Sequence, residues 1–135
     1  LDRRNADNVL IVNIESVPAM DNLTSILGVD GLDAVLIGPH DLSVSLGIPE
    51  QYDHERFDEA VREIIRRARQ AGVGAGIHYW AHLEKEISWA QAGANLILHS
   101  GDITRFASAT REDIAQMRTD LGDDVEPTGG MDLTV

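Results

Sequence analysis

Four short apolar runs, each followed by a stretch of helical character, limit what this chain can fold into. The runs are Val9 to Ile14, Ala34 to Ile37, Val73 to Ile77 and Asn95 to Leu98. Each is too short for a helix, and the first is almost continuously apolar, the pattern of a strand buried on both faces. Ser16 is placed to cap a first helix, with Pro18 in its opening turn and Gly28 at its end. A second helix runs from Asp53 to near Ala71 and carries Phe57, Ala60, Val61, Ile64, Ile65 and Ala68 on one face. A third passes through Leu83, Ile87 and Ala90 to Gly93, and a last one covers Ile103 to Leu121, stopped by Gly122. Residues 38–52 read as a loop carrying Gly47 and Pro49.

Strict alternation of strand and helix builds a parallel sheet with right-handed crossovers. Four such units are half of an eight-fold barrel, which needs about 250 residues. The expected fold is therefore α/β, with residues 1–122 supplying four β/α units, half the number in a (β/α)8 TIM barrel, the fold that the family resemblance given below implies. Residues 123–135 read as a polar, poorly ordered tail. A small doubly wound sheet is the alternative, but no G-x-G-x-x-G loop follows the first strand. Gly72-Val73-Gly74-Ala75-Gly76 lies before and within a strand and is not such a loop. No linker marks a domain boundary. The chain starts at Leu1, within ten residues of its first strand, so a piece of a larger protein is expected.

Composition removes several classes of function. The 23 acidic residues against 11 basic give a net charge of -12, which repels phosphate backbones and anionic membranes. No apolar run approaches the roughly 20 residues that span a bilayer, and a cytoplasmic location is expected. With no cysteine, disulfides, thiolate nucleophiles and Cys-based metal centres are excluded.

Ligands of parallel α/β folds bind beyond the carboxyl ends of the strands. The residues there are Asn13 and Glu15, His40 and Asp41, His78, and His99 to Asp102. Glu15 and Asp41, at the tips of successive strands, suit a hard divalent cation such as magnesium or manganese; the plainer alternative is that both cap local turns. Gly38 lets a ligand approach the backbone, and Pro39 aims the amides of His40 and Asp41 so that they can grip a carboxylate. An ordinary tight turn is the alternative. His78 and His99 can contact substrate, carry a proton or satisfy nearby backbone. Trp80 either walls the pocket or covers the rim. His54 and His82 sit near helix starts as solvated or capping residues, and Asp102 reads as an N-cap. A histidine-based hydrolase using His40, His78 and His99 lacks the H-x-H or H-E-x-x-H spacing.

Three motifs make the chain resemble the C-terminal half of the HpcH/HpaI aldolase family. They are Asn13-Ile14-Glu15-Ser16, the run Val29-Asp30-Gly31-Leu32-Asp33-Ala34-Val35-Leu36-Ile37-Gly38-Pro39-His40-Asp41-Leu42-Ser43, and Gly72 to Ile77. The resemblance covers residues 9 to 121. It implies a metal-dependent (class II) carbon–carbon lyase acting on a 4-hydroxy-2-oxo acid through a metal-stabilised pyruvate enolate. It also implies Glu15 and Asp41 as ligands of Mg2+, Mn2+ or a similar divalent ion. Gly38, Pro39, His40, Asn13 and His78 would line the oxo-acid site, with glutamine in many members where Asn13 stands and an aliphatic residue where His78 stands. The groups that move protons would belong to the first barrel half, upstream of Leu1, leaving no catalytic acid or base in this chain. Small oxo acid and aldehyde partners follow, and so does a homo-oligomer, commonly a hexamer, with the last helix packed on a neighbour through Ile103, Phe106, Ile114 and Met117. The competing expectation is a non-catalytic half-barrel that binds metal and oxo acid or serves assembly.

Overall fold

The computed structural model describes residues 7–123. The described residues divide into two compact units, between His99 and Ser100. The sequence carries no linker at that division.

In the first unit the strands are β1 (Ile11–Ile14), β2 (Ala34–Ile37), β3 (Gly74–Tyr79) and β4 (Leu96–His99). They form one parallel sheet in the order β1-β2-β3-β4, so each crossover steps to the next strand. Its helices are α1 (Val17–Asp21), α2 (Leu23–Leu27), α3 (Pro39–Ser45), α4 (Glu55–Gln70) and α5 (Leu83–Gln91). The register aligns Ile14, Ile37, Ile77 and Ile97 in one row across all four strands. That face, with Val35, Ala75 and Tyr79, joins Phe57, Ala60, Val61, Ile64, Ile65 and Ala68 of α4 and Trp89 of α5 in a single core. Every apolar α4 position expected from the periodicity is buried.

The opposite sheet face is open. Ile11 and Leu98 keep 43% and 38% of their surface exposed, and Asn13 and His78 also face outward. The expectation that β1 is buried on both faces is therefore wrong: its Ile11 and Asn13 side is exposed.

Three other local expectations change. The first helix is two, because Asn22 leaves helical geometry and turns its side-chain amide onto the Pro18 carbonyl at 2.8 Å. Ser16 does cap α1, accepting the Ala19 amide. The 38–52 loop contains a helix, α3, opened by Pro39 at a position where proline has no amide bond to lose. In α5 the buried residues are Glu86 and Trp89, while Leu83 and Ile87 point outward.

The second unit contains α6 (Asp102–Leu121). Gly101 occupies its N-cap, and Asp102, expected there, is the first helical residue, its carboxylate accepting the Ile103 amide at 2.7 Å. Ile103, Phe106, Ile114 and Met117 are all exposed. The tail expected to be poorly ordered lies, from residue 124 on, outside the described residues. No described helix is long and apolar enough to cross a membrane.

Candidate functional site

The site grows from one row of the sheet. One residue beyond the isoleucine row stand Glu15, Gly38, His78 and Leu98, all on the open face at the carboxyl ends of the strands. Adjacent strands lie roughly 4.8 Å apart, so a side chain leaning across one strand reaches its neighbour. Glu15 does this. A Cβ built on Gly38 would lie 2.8 Å from Glu15 Oε2 and 3.0 Å from Glu15 Cβ, so the carboxylate rests on ground that only glycine leaves bare. Asn13, two residues back on the same face, donates a long 3.4 Å bond from Nδ2 to Glu15 Oε2.

Asp41 stands in the first turn of α3, directly after Gly38-Pro39, and is exposed. The first intrahelical bond of α3 runs from the Leu42 amide to the Gly38 carbonyl. The amides of His40 and Asp41 are thus those of an open first helical turn, rather than of an isolated backbone nest. The His40 imidazole is exposed, with Nδ1 3.5 Å from Glu50 Oε1.

Ser43, fully buried, fixes this rim. Its hydroxyl donates to the His40 carbonyl at 2.7 Å and accepts the Glu50 amide at 2.9 Å. Glu50 holds a left-handed φ of 58°, so the serine bond helps keep a strained residue in place. Ser45 Oγ accepts the Val17 amide at 2.9 Å and ties α3 to the start of α1.

At the other end of the row, His78 packs edge-on to Trp80 with ring centroids 5.7 Å apart. Trp80 also meets Tyr52 and Tyr79, which places it over the rim aromatics. Burial, then the Glu50 charge, push the Tyr52 hydroxyl above its usual pKa. His54 caps α4 through Nδ1, accepting the Arg56 amide, and His82 holds the α5 N-cap position.

His99 does not join the site. It is the register partner of Tyr79 and faces the helix side, where its Nδ1 lies 2.7 Å from Glu86 Oε2. Sequence reading missed Glu86, because its partner lies on another element, and no apolar periodicity announces a buried carboxylate. Among the described residues no group of three or more His, Asp or Glu side chains converges to hold a metal, and His99 lies on the opposite sheet face from His78.

The donor set fits a hard divalent ion nonetheless. Glu15 just past β1 and Asp41 in the first turn of α3 supply oxygen only, and such ions keep several positions for water and substrate oxygens.

The profile of the family described as HpcH/HpaI aldolase/citrate lyase matches residues 2–109. The 2-keto-3-deoxy-L-rhamnonate aldolase of Klebsiella pneumoniae is 36% identical over 126 residues, covering 92% of this chain and 46% of that protein. The crystal structure of an HpcH/HpaI aldolase from Desulfitobacterium hafniense superposes with a TM-score of 0.79 at 30% identity, over 96% of this chain and 48% of the other. A family protein from Burkholderia cenocepacia gives a TM-score of 0.81 at 30% identity, over 87% of this chain and 46% of its own. The chain spans about half the length of the curated relatives it matches. Its four β/α units are those of a TIM-barrel fold.

Proposed function

The chain belongs to the HpcH/HpaI aldolase/citrate lyase family, and from that membership we propose that it supplies the metal- and oxo-acid-binding half of a divalent-metal-dependent aldolase-type lyase. The observation that carries this reading is the Glu15 carboxylate laid across Gly38, with Asp41 opening α3 immediately after it. Glu15 and Asp41 would hold Mg2+ or Mn2+. Such an ion, when bound, draws electron density from a substrate oxygen as a Lewis acid, an effect worth several kcal/mol of barrier.

The chain's own residues bind and orient. The His40 and Asp41 amides present two donors to the carboxylate of a pyruvate-like unit, and Pro39, buried, fixes their direction. Gly38 keeps the floor flat, and Asn13 steadies Glu15 through their 3.4 Å contact. His78 lines the site one strand away, where it meets the part of a 4-hydroxy-2-oxo acid that leaves as aldehyde. Proton transfer falls to residues outside this chain.

The exposed apolar side chains of α6, among them Phe106 at 74% and Ile103 at 62%, are proposed to dock on a second copy in a homo-oligomer. Sedimentation showing a stable monomer of the intact protein would contradict that docking.

The functional reading is tested by metal-stimulated release of pyruvate from a 4-hydroxy-2-oxo acid, measured on the intact protein. Glu15→Ala and Asp41→Ala should each lower kcat/KM at least 100-fold, about 2.7 kcal/mol. Parent-like turnover in both variants would overturn it.

A further inference from the structure

An aromatic arc leads away from His78, the exposed residue that β3 contributes to the site row. The His78 ring meets Trp80 with centroids 5.7 Å apart and planes at 61°. Trp80, one residue past the end of β3, also meets Tyr52 at 6.0 Å and Tyr79 at 6.1 Å. Tyr52 is held in turn by Phe57 at 5.5 Å and by Tyr79 at 5.8 Å. Three rings therefore fix the indole, which is still partly exposed. An aromatic side chain held this way receives a ligand ring without first losing its own freedom.

We propose that Trp80, with His78 and Tyr52, walls the subsite for the aldehyde half of the substrate and selects an aldehyde that carries an uncharged aromatic ring. This rests on the lyase reading above, in which His78 meets the part that leaves as aldehyde. Loop 46–54 ties the arc to the rest of the site. Its Glu50 Oε1 lies 3.5 Å from His40 Nδ1, and two residues on its Tyr52 packs against Trp80. One loop thus touches both His40, whose amide is assigned to the oxo-acid carboxylate, and the indole.

The charges along this arc disfavour a second carboxylate on the substrate. Glu50 and Asp53 bracket Tyr52 in the chain. Lys85 Nζ donates to the Tyr52 carbonyl at 2.9 Å and lies 3.2 Å from Asp53 Oδ1, and Arg56 donates to the Leu46 carbonyl at 2.7 Å, so these neighbouring cations are already engaged. An acid-tailed aldehyde would meet like charge, whereas an uncharged ring gains edge and face contacts with the indole. In the synthetic direction the pyruvate methyl gives up a proton, its carbon bonds to the aldehyde carbon, and the aldehyde oxygen takes up a proton. The aldehyde's ring takes no part in that exchange, so Trp80 acts on binding and orientation alone.

The test uses the intact protein with Mg2+ and pyruvate. Exchange of the pyruvate methyl protons with deuterated solvent needs no aldehyde and reads the lyase function by itself. Addition of benzaldehyde, propanal or 4-oxobutanoate then reads the subsite. The parent should favour benzaldehyde over each of the others at least tenfold in kcat/KM, about 1.4 kcal/mol. Trp80→Leu keeps apolar bulk without the ring and should cut the benzaldehyde-to-propanal ratio at least tenfold, while Trp80→Phe should hold it within about threefold. Trp80→Met, also ringless, gives the same reading where Trp80→Leu does not fold. Methyl exchange without an aromatic preference, or a ratio unmoved in the ringless variants, would overturn the wall and leave the lyase reading standing. Absence of methyl exchange would overturn both.

Discussion

Replacing Gly38 with alanine separates the site from the scaffold. Gly38 has φ -88° and ψ 98°, a conformation that alanine adopts freely, so the backbone carries no penalty. Reduced entropy of the unfolded chain even favours alanine by about 0.4–1 kcal/mol. The cost lies in the new methyl group, 2.8 Å from Glu15 Oε2 and 3.0 Å from Glu15 Cβ. The carboxylate can swing away, but its Cβ is held by the β1 backbone, so the whole side chain must rotate off Gly38. Overpacking of this kind costs about 1–3 kcal/mol, leaving a net stability loss of about 0–2.5 kcal/mol. The effect on metal is larger in proportion. Misdirecting a ligand costs roughly 10–100-fold in affinity, as loss of a supporting contact does. Calorimetric titration of Mn2+ in the presence of pyruvate reads the affinity, and thermal unfolding reads the stability. Gly31→Ala is the control: nothing lies within 4 Å of the added Cβ, but φ is +82°. It should destabilise by about 1–2 kcal/mol and leave Mn2+ affinity unchanged. Parent-like Mn2+ binding by G38A would refute the reasoning, since Glu15 would then not depend on the bare glycine surface.

Two further outcomes follow from the scaffold. Ser43→Ala strands the part-buried His40 carbonyl and Glu50 amide and should destabilise by about 1–2 kcal/mol in chemical denaturation, with loop 46–54 exchanging its amide hydrogens faster. Burial would raise the Asp58 carboxyl, but hydrogen bonds from Arg62 and Trp89 and the Arg62 and Lys85 charges outweigh it and hold it below the ordinary value. A depressed folded-state pKa stabilises above the unfolded value of about 3.9 and is lost as pH falls through the folded one. Stability should therefore drop on acidification below about pH 4, and Asp58→Asn should remove that part of the acid-side slope in urea melts recorded at stepped pH.

Sequence pattern was most legible where one local period decides the structure. Ala34 to Ile37, bounded by Asp33 and Gly38, is a strand with the expected ends, and the apolar face of α4 is buried at every expected position. Legibility fell where the deciding partner is distant in sequence. Leu83 and Ile87 have helical spacing, yet α5 turns Glu86 and Trp89 inward, because Glu86 meets His99 and Trp89 meets Asp58. α3 announced itself through Pro39 and Asp41, signals of a helix start that the glycine beside them makes look like a bare turn. Glu15 was legible as a carboxylate just past β1, whereas Asp41, expected at the tip of β2, stands in the first turn of α3. The contact of Glu15 with Gly38 needed coordinates, since it depends on a side chain crossing from one strand to the next.

The most direct test of the account is Mn2+ binding, followed by electron paramagnetic resonance with pyruvate added, in the parent, Glu15→Gln and Asp41→Asn proteins. The account predicts one Mn2+ site that pyruvate tightens in the parent and that each substitution weakens at least tenfold, about 1.4 kcal/mol. Equal Mn2+ affinity in all three proteins, or parent binding indifferent to pyruvate, would contradict it.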